Sequence, residues 1–203
     1  MIIKDESIAF LRKQDTIFET IHQQYGRPPN WQRPEGFETL LRIILEQQVS
    51  LESAKAAYLK LKTAIGEVTP QKVLQLSDEQ LRACYFSRQK TRYAKTLATA
   101  ILEKSLDLSQ LSSLSNEAVF EQLTAVKGIG KWTTEVYLMF CLDSPDIFPL
   151  GDIAAINTVK EFTALETKDE IAKYVQAWSP YRTAATFYLW HYYLKKRNRE
   201  VVY

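Results

Sequence analysis

The stretch that decides the fold at the centre of this chain is Leu123-Thr-Ala-Val-Lys-Gly-Ile-Gly-Lys-Trp-Thr-Thr-Glu-Val-Tyr-Leu-Met-Phe140. Apolar residues at helical spacing flank a Gly-Ile-Gly turn on both sides, which predicts a hairpin of two helices. Glycines at 128 and 130 permit a positive φ and a close approach of the backbone. The amides bared at the start of the second helix can hold a phosphate, although a plain turn between helices has the same pattern.

An aspartate, Asp152, follows the second glycine of this turn by 22 residues, at the end of Phe148-Pro-Leu-Gly-Asp152. It directly precedes the apolar run Ile153-Ala-Ala-Ile156, so its side chain can cap the next helix. A carboxylate can also offset positive charge that develops in a water-poor cleft. The turn alone predicts nucleic-acid binding, whereas the turn together with the carboxylate predicts chemistry on the nucleic acid.

Helical periodicity dominates the rest of the chain, and strand signals are scarce. Ile8 to Tyr25 predicts a first helix, and Phe37 to Leu45 has the stripe of a strongly buried one. A longer helix is expected from Arg88 to Leu102. Further helices are expected at residues 54–65, 116–125, 131–141, 152–162, 168–178 and 181–196. We therefore predict an all-α fold of about ten helices.

The lengths of the loops predict how these helices are arranged. We expect a single domain over residues 1–203, with two helical lobes around a cleft. One lobe is expected to comprise about residues 1–50 plus 141–203, and the other about residues 51–140. The two longer loops, at 26–36 and 142–151, contain proline and are expected to line the cleft. Such clefts are common places for binding sites.

Composition and the N-terminus exclude several classes of protein. The chain has 203 residues, of which 46% are hydrophobic and 25% charged, which is typical of a soluble globular protein. It contains no apolar run of about 18 residues, and Met1-Ile-Ile-Lys-Asp-Glu has charges where a secretory signal has its apolar segment. Its two cysteines can form neither a disulfide framework nor a four-cysteine cluster. We expect an intracellular protein with no membrane association.

The charge pattern is only weakly informative about a partner. The net charge is +2, with basic clusters at residues 88–95 and 195–199 that could be solvated faces or nucleic-acid contacts. A modestly basic protein can still bind DNA when backbone amides supply the phosphate contacts. His22 and His191 lie 169 residues apart, so zinc binding is not expected. No cofactor is predicted.

The central motif carries a resemblance to a known family. The pattern Leu123-x-x-Val126-Lys-Gly-Ile-Gly-Lys-Trp-Thr-Thr-x-x-Tyr137-Leu, with Asp146-Ile-Phe-Pro-x-Gly-Asp152, resembles the helix–hairpin–helix and Gly/Pro-Asp signature (HhH-GPD) of the DNA glycosylase superfamily. Within it, the alkylation-repair (AlkA-type) branch of 3-methyladenine glycosylases is the most similar. The resemblance covers about residues 34–195, including Phe37–Ser50 and Ala177–Ala185. The extra N-terminal sheet domain of some members is expected to be absent.

The resemblance implies a monofunctional glycosylase of base excision repair. Such an enzyme flips an alkylated purine out of double-stranded DNA and hydrolyses its N-glycosidic bond, which leaves an abasic site. Asp152 would be the catalytic carboxylate. The expected DNA-backbone contacts are Gly128, Ile129, Gly130, Lys131 and Thr133, and the expected base pocket is Trp132, Tyr137 and Trp190. We expect a monomer in the nucleoid, or in the nucleus of a eukaryotic host.

Three further expectations follow from the same resemblance. Either Gln47 or Gln48 would enter the duplex and fill the gap that the flipped base leaves. A monovalent cation could bind at the carbonyl of Val126. The tyrosine that the family has four residues beyond the hairpin tryptophan is here Val136, with Tyr137 adjacent, and this departure affects the shape of the base pocket.

Trp132 bears on the type of enzyme. Members with lyase activity have a lysine two residues after the second glycine, and its amine attacks the sugar. Here that position is Trp132, and Lys131 is turned about 100° around the helix. A monofunctional enzyme is therefore preferred over a bifunctional glycosylase/lyase that uses Lys131. The same pattern is also compatible with a non-catalytic DNA-binding protein and with a helical protein-interaction module.

Overall fold

The protein is helical throughout the residues that the computed structural model describes, which are 1–199. This part of the chain has twelve α-helices, two short 3₁₀ helices and no β-strand, and all of its α-helices except two six-residue ones have seven or more residues. The predicted all-α fold with about ten helices is confirmed. No helix in the same residues is long and apolar enough to cross a bilayer.

The helices belong to two compact units; among the described residues, one is formed by residues 1–32 and 138–199 and the other by Arg33–Tyr137. The α-helices are α1 (Asp5–Gln14), α2 (Thr16–Tyr25), α3 (Phe37–Glu46), α4 (Leu51–Ile65), α5 (Pro70–Gln75), α6 (Asp78–Ala83), α7 (Arg88–Leu102), α8 (Asn116–Thr124), α9 (Lys131–Phe140), α10 (Ile153–Phe162), α11 (Lys168–Tyr174) and α12 (Arg182–Lys195). The first unit contains α1, α2 and α10 to α12. The second contains α3 to α8 and most of α9.

Helix α3 lies in the second unit, whereas the lobe expected from the sequence placed residues 1–50 with the terminal segments. The structure explains this difference, because α3 packs against α4 and α7. Leu40, Leu41, Ile43 and Ile44 are fully buried, so apolar side chains cover most of the circumference of the helix. Residues 200–203 of the expected terminal lobe lie outside the described residues.

The core of the first unit is built around aromatic side chains. Phe18, Trp178 and Tyr188 are fully buried, as helical spacing predicts for Trp178 and Tyr188. The Phe18 ring meets the Trp178 ring edge to face at 4.9 Å between centroids, and the Tyr188 ring at 5.6 Å. Edge-to-face packing is a favoured arrangement of aromatic rings, so the Tyr188 contact holds α2 to α12 and the Trp178 contact holds α2 to the segment that precedes α12.

Two predicted helices are interrupted in the structure. The expected first helix is divided at Asp15, whose backbone is extended at φ −150° and whose carboxylate accepts a hydrogen bond from Ile17 N at 3.0 Å. That geometry makes Asp15 the N-cap of α2 and stops α1. The expected helix over 168–178 ends at Tyr174 and continues as a 3₁₀ helix over Val175–Trp178. The prediction for Arg88–Leu102 is confirmed at both ends, with Ser87 as the N-cap.

Candidate active site

The Gly-Ile-Gly segment forms the predicted hairpin between α8 and α9 in the second unit. We call residues 126–131 the hairpin turn. Leu123, Val126 and Ile129 are buried beneath it. The amide of Ile129 donates to the carbonyl of Val126 at 3.0 Å, which closes the turn. A helical bond of α9 runs from Thr134 N to Gly130 O at 3.1 Å, and the backbone amides in the first turn of a helix generally point along its axis toward the N-terminal end.

The two glycines of the hairpin turn have different roles. Gly128 has φ +105°, and a Cβ there would lie 2.8 Å from the Cβ of Tyr93 and closer still to its ring. Gly130 does not have a positive φ, and no atom lies within 4 Å of where its Cβ would stand. The expectation of a positive φ therefore holds for Gly128 only. Gly130 is exposed, which leaves open space for a ligand beside its backbone.

Lys131 and Thr133, both expected to bind the DNA backbone, lie in different environments. The Lys131 side chain is 71% exposed, and its amine is 3.8 Å from a carboxylate oxygen of Glu135 on the same face of α9. Thr133 is buried, and its hydroxyl accepts a hydrogen bond from Gln47 Nε2 at 2.8 Å. Lys131 is thus accessible to a phosphate, whereas Thr133 contributes to the inside of the unit.

The two candidate glutamines at the end of α3 are also clearly distinguished. Gln47 is half-buried, and its amide nitrogen donates to Gly128 O at 2.9 Å as well as to Thr133. Gln48 is exposed and has φ +55°, in the left-handed region. Of the two glutamines, only Gln48 is fully exposed at this turn, whereas Gln47 is bonded to the hairpin.

Tyr137, which we expected in the base pocket, is fully buried in the second unit. Its hydroxyl accepts a hydrogen bond from Gly36 N at 3.0 Å, at the start of α3. A side chain in that position supports α3 and does not line an open pocket in this conformation. Trp132, in the first turn of α9, is half-buried and keeps part of its ring accessible.

Asp152 lies in the first unit, where it is the N-cap of α10. Its Oδ1 accepts hydrogen bonds from Ala155 N at 2.8 Å and from the indole Nε1 of Trp190 at 2.9 Å. The amide of Asp152 donates to Pro149 O at 2.8 Å, which turns the preceding loop into the helix. The carboxylate is half-buried and held in one orientation from two sides. It is both a helix cap and a carboxyl group with a fixed orientation.

An ion pair anchors the loop that leads to Asp152. The guanidinium of Arg182 donates to both oxygens of Asp146, at 2.7 and 2.9 Å, and Ser179 Oγ donates to the same carboxylate at 2.7 Å. Burial by itself raises the pKa of Asp146, but the hydrogen bonds from Arg182 and Ser179 outweigh it and lower that pKa. The carboxylate therefore stays ionised and keeps the loop attached to the start of α12.

Aromatic rings surround Trp190 in the first unit. The Phe187 ring stacks on it with 5.8 Å between centroids, Phe140 lies at 5.6 Å, and Trp31 at 6.3 Å. Trp31 lies in the proline-containing loop at 26–36 and was not among the pocket residues predicted from the sequence. Both tryptophans are half-buried, so this cluster presents electron-rich ring surface near the Asp152 carboxylate.

Few side chains in the described residues are placed so that they could bind a metal ion. Across residues 1–199 no three or more His, Cys, Asp or Glu side chains are grouped so that they could hold a metal ion. The Val126 carbonyl, expected as a cation ligand, accepts the Ile129 amide within the hairpin turn. In the first unit His191 is buried and His22 is half-buried, and His22 Nδ1 pairs with the Tyr188 hydroxyl at 2.8 Å.

Comparisons with known proteins agree with this architecture. A family model described as HhH-GPD superfamily base excision DNA repair protein matches residues 41–180. DNA-3-methyladenine glycosylase 1 of Schizosaccharomyces pombe is 32% identical, over 92% of this chain and 90% of that protein.

Two solved structures are similar in fold and in sequence. An S. pombe 3-methyladenine DNA glycosylase in complex with abasic DNA matches with a TM-score of 0.83 and 30% identity, over 91% of this chain and 95% of that one. A Bacillus halodurans DNA-3-methyladenine glycosidase matches with a TM-score of 0.76 and 28% identity, over 98% and 94%. This chain therefore belongs to the HhH-GPD superfamily of base excision DNA repair proteins.

Proposed function

We propose that this chain, a monofunctional DNA glycosylase of base excision repair, removes alkylated purines of the 3-methyladenine type from double-stranded DNA. The reaction is hydrolysis of the N-glycosidic bond, which releases the free base and leaves an abasic site. Similarity over nearly the full length of the S. pombe DNA-3-methyladenine glycosylase 1 supports this substrate class. The observation that carries the proposal is the Asp152 carboxylate, fixed by Ala155 and Trp190.

Asp152 is the proposed catalytic residue. As the base departs, positive charge develops on the sugar, and a carboxylate beside the anomeric carbon stabilises that charge. The same group can orient the water that completes the hydrolysis. Because two hydrogen bonds orient the side chain before substrate arrives, little reorganisation is needed during the reaction. The capping role and the catalytic role are therefore compatible.

The proposed base-pocket residues of the first unit are Trp190 and its neighbour Trp31. Trp132, which belongs to the second unit, stays a prediction from the sequence resemblance. Purines alkylated at N3 or N7 carry positive charge on the ring system. An aromatic face attracts such a cation more strongly than it attracts a neutral base. The positive charge also weakens the glycosidic bond, so a pocket with few specific contacts is sufficient. Tyr137 is not part of this proposal because it is fully buried.

The proposed contacts with the DNA backbone are the amides of the hairpin turn and the exposed Lys131. A phosphate can approach Gly130 because no atom occupies the space beside it. Gln48 is the proposed residue that enters the duplex, since it is exposed at a left-handed turn. A residue that fills the gap offsets part of the unstacking energy of the flipped base.

A lyase step is not part of this function. Trp132 occupies the position where lyases have their lysine, and the exposed Lys131 has its amine 3.8 Å from a carboxylate oxygen of the buried Glu135. Borohydride treatment during the reaction traps a Schiff base when one forms. We expect no trapped protein–DNA adduct with this chain. An adduct that disappears in a Lys131→Ala variant would instead establish a bifunctional glycosylase/lyase.

We further propose that the protein acts as a monomer on chromosomal DNA, in the nucleoid or in the nucleus. The test of the whole function is release of free bases from methylated duplex DNA, resolved by chromatography. We expect 3-methyladenine to appear in proportion to enzyme concentration. Release no faster than in enzyme-free DNA would contradict the proposal, and light scattering of the purified protein would check the monomer.

A further inference from the structure

The C-terminal end of α3 is tied to the hairpin turn by one side chain. Gln47 Nε2 donates to the carbonyl of Gly128 at 2.9 Å and to Thr133 Oγ1 at 2.8 Å. These partners lie 81 and 86 residues away along the chain, one in the hairpin turn and one in the first turn of α9. Thr133 is only 2% exposed, so its hydroxyl is held within the packed interior of the unit.

Two more contacts fix α3 in the same unit. At its N-terminal end, the amide of Gly36 donates to the hydroxyl of Tyr137 on α9 at 3.0 Å. At its C-terminal end, the ammonium of Lys90 on α7 donates to the carbonyl of Leu45. Lys90 is half-buried, and this burial lowers the pKa of its amine. Helix α3 is therefore attached to α9 at both ends and to α7 near its last turn.

The residue next to Gln47 is held in a different way. Gln48 is exposed at φ +55°, and no hydrogen bond of its side chain is found within residues 1–199. Val49 beyond it is 45% exposed, and Ser50 then caps α4 by accepting from Ser53 N at 3.2 Å. Gln48 therefore projects from a short turn whose two ends, at Gln47 and Ser50, are both fixed.

We propose that Gln47 is a positioning residue that sets the location of Gln48 relative to the hairpin turn. The proposal rests on the function proposed above, in which the hairpin turn holds a phosphate and Gln48 enters the duplex. The two hydrogen bonds keep these two DNA contacts at one spacing, so that phosphate binding places Gln48 at the base stack. Gln47 does not itself touch the DNA in this arrangement.

The consequence concerns duplex DNA specifically. Flipping a base out of a paired stack requires a residue that fills the gap, whereas an unpaired strand has little stacking to replace. Misplacement of a group by about 1 Å can cost on the order of 100-fold in rate. Loss of the Gln47 hydrogen bonds should therefore slow excision from duplex DNA while excision from single-stranded DNA is maintained.

The test compares Gln47→Ala with the wild-type protein on one methylated oligonucleotide, alone and annealed to its complement. Single-turnover rates at saturating enzyme remove differences in binding. We expect the duplex rate to fall at least about tenfold and the single-strand rate to stay within about twofold. Gln23→Ala is the matched control, because it also removes a glutamine side chain that donates a hydrogen bond, here to Glu19. Gln23 lies on α2 in the other unit. It should change neither rate.

A spectroscopic measurement separates positioning from general destabilisation. With 2-aminopurine beside the lesion, unstacking on binding raises fluorescence, and the rise should be smaller for Gln47→Ala than for the wild type. Gln47→Glu preserves the size of the side chain but lacks the donor, so it should reproduce the loss if the Ala variant folds poorly. Thr133→Val removes one of the two acceptors and should give an intermediate effect, whereas Thr133→Ser retains the hydroxyl and should restore the wild-type ratio.

The outcomes separate the two proposals. If the wild-type protein releases no base from either form of DNA, the proposed function fails. If the wild type is active and Gln47→Ala changes neither rate, or lowers both by the same factor, Gln47 has no positioning role in base flipping. A selective loss on duplex DNA, repeated by Gln47→Glu and absent from Gln23→Ala, supports the inference.

Discussion

The hairpin turn and the Asp152 segment are stabilised by different kinds of interaction. The hairpin turn is closed between Ile129 and Val126, three residues apart, and depends on backbone conformation at Gly128. Asp152 is oriented by Trp190, 38 residues away, and depends on the position of α12. The first region is determined locally and the second by packing. Substitutions in the hairpin turn should therefore strain the backbone and lower stability. Substitutions around Asp152 should leave the fold intact but release the carboxylate from its fixed orientation.

The largest effect is expected at Gly128. In Gly128→Ala the alanine must keep a positive φ, and its Cβ must displace the Tyr93 ring. Strain and overpacking each cost on the order of 1–3 kcal/mol, so we expect the free energy of unfolding to fall by about 2–4 kcal/mol. Chemical denaturation of the wild type and the variant measures this difference.

Two other glycines serve as controls for Gly128. Gly66 has φ +71° but nothing within 4 Å of its Cβ position, so Gly66→Ala should show strain alone, about 1 kcal/mol. Gly130→Ala should change stability by less than about 1 kcal/mol and reduce duplex binding, because the new methyl group occupies the proposed phosphate site. Equal destabilisation by all three variants would mean that the hairpin turn is not constrained as described.

Trp190 tests the second region. Trp190→Phe retains an aromatic ring but loses the N–H that orients Asp152. We expect kcat for base release to fall about tenfold, equivalent to about 1.4 kcal/mol of activation free energy, with a smaller change in KM. Steady-state kinetics on methylated duplex DNA gives both parameters.

Trp178→Phe is the matched control for Trp190→Phe, since it removes an indole N–H that donates to Asp15 rather than to Asp152. It should lower the free energy of unfolding by about 1–3 kcal/mol and leave kcat unchanged. A kcat loss of the same size in both variants would show that the effect comes from general loosening of the first unit.

The smallest effect concerns pH. Burial lowers the pKa of both His22 and His191 in the folded protein. Between those lowered values and the unfolded value of about 6.5, the unfolded chain binds more protons, so stability increases with pH in this range. We expect the midpoint of urea denaturation to fall as pH decreases from about 7.5 to about 5.5. In a His22→Gln, His191→Gln double variant this decrease should be reduced; an unchanged decrease would assign it to other groups.

The contrast between locally determined and packing-determined regions also explains which features the sequence could predict. Glycines at 128 and 130 are a local signal for a hairpin, and helical spacing identified α3 and α7. Asp15 could have been recognised as a helix cap, since Asp followed by an apolar helical run is a known start signal. The division of the first predicted helix was therefore accessible in principle.

Other features depend on residues that are distant along the chain. Nothing near Asp146 indicates that Arg182 anchors it, and nothing near Trp31 indicates that it packs beside Trp190. Gln47 and Gln48 are the same type of residue, so only the packing of the second unit distinguishes them. Gln47 is half-buried and bonded to Gly128, whereas Gln48 is exposed. The expected lobe boundary misplaced α3 for the same reason.

Asp152 is proposed to place negative charge beside the sugar from which the base departs, and the Asp152→Asn substitution tests this role. The amide oxygen of asparagine can still accept from Ala155 and Trp190, so the cap is retained and only the charge is lost. We predict that release of 3-methyladenine from methylated duplex DNA falls at least about 100-fold while duplex affinity is unchanged. Asp169→Asn is the matched control, because Asp169 is an exposed carboxylate in the first turn of α11, and it should keep the wild-type activity. Base release by Asp152→Asn within about threefold of the wild-type rate would contradict the account.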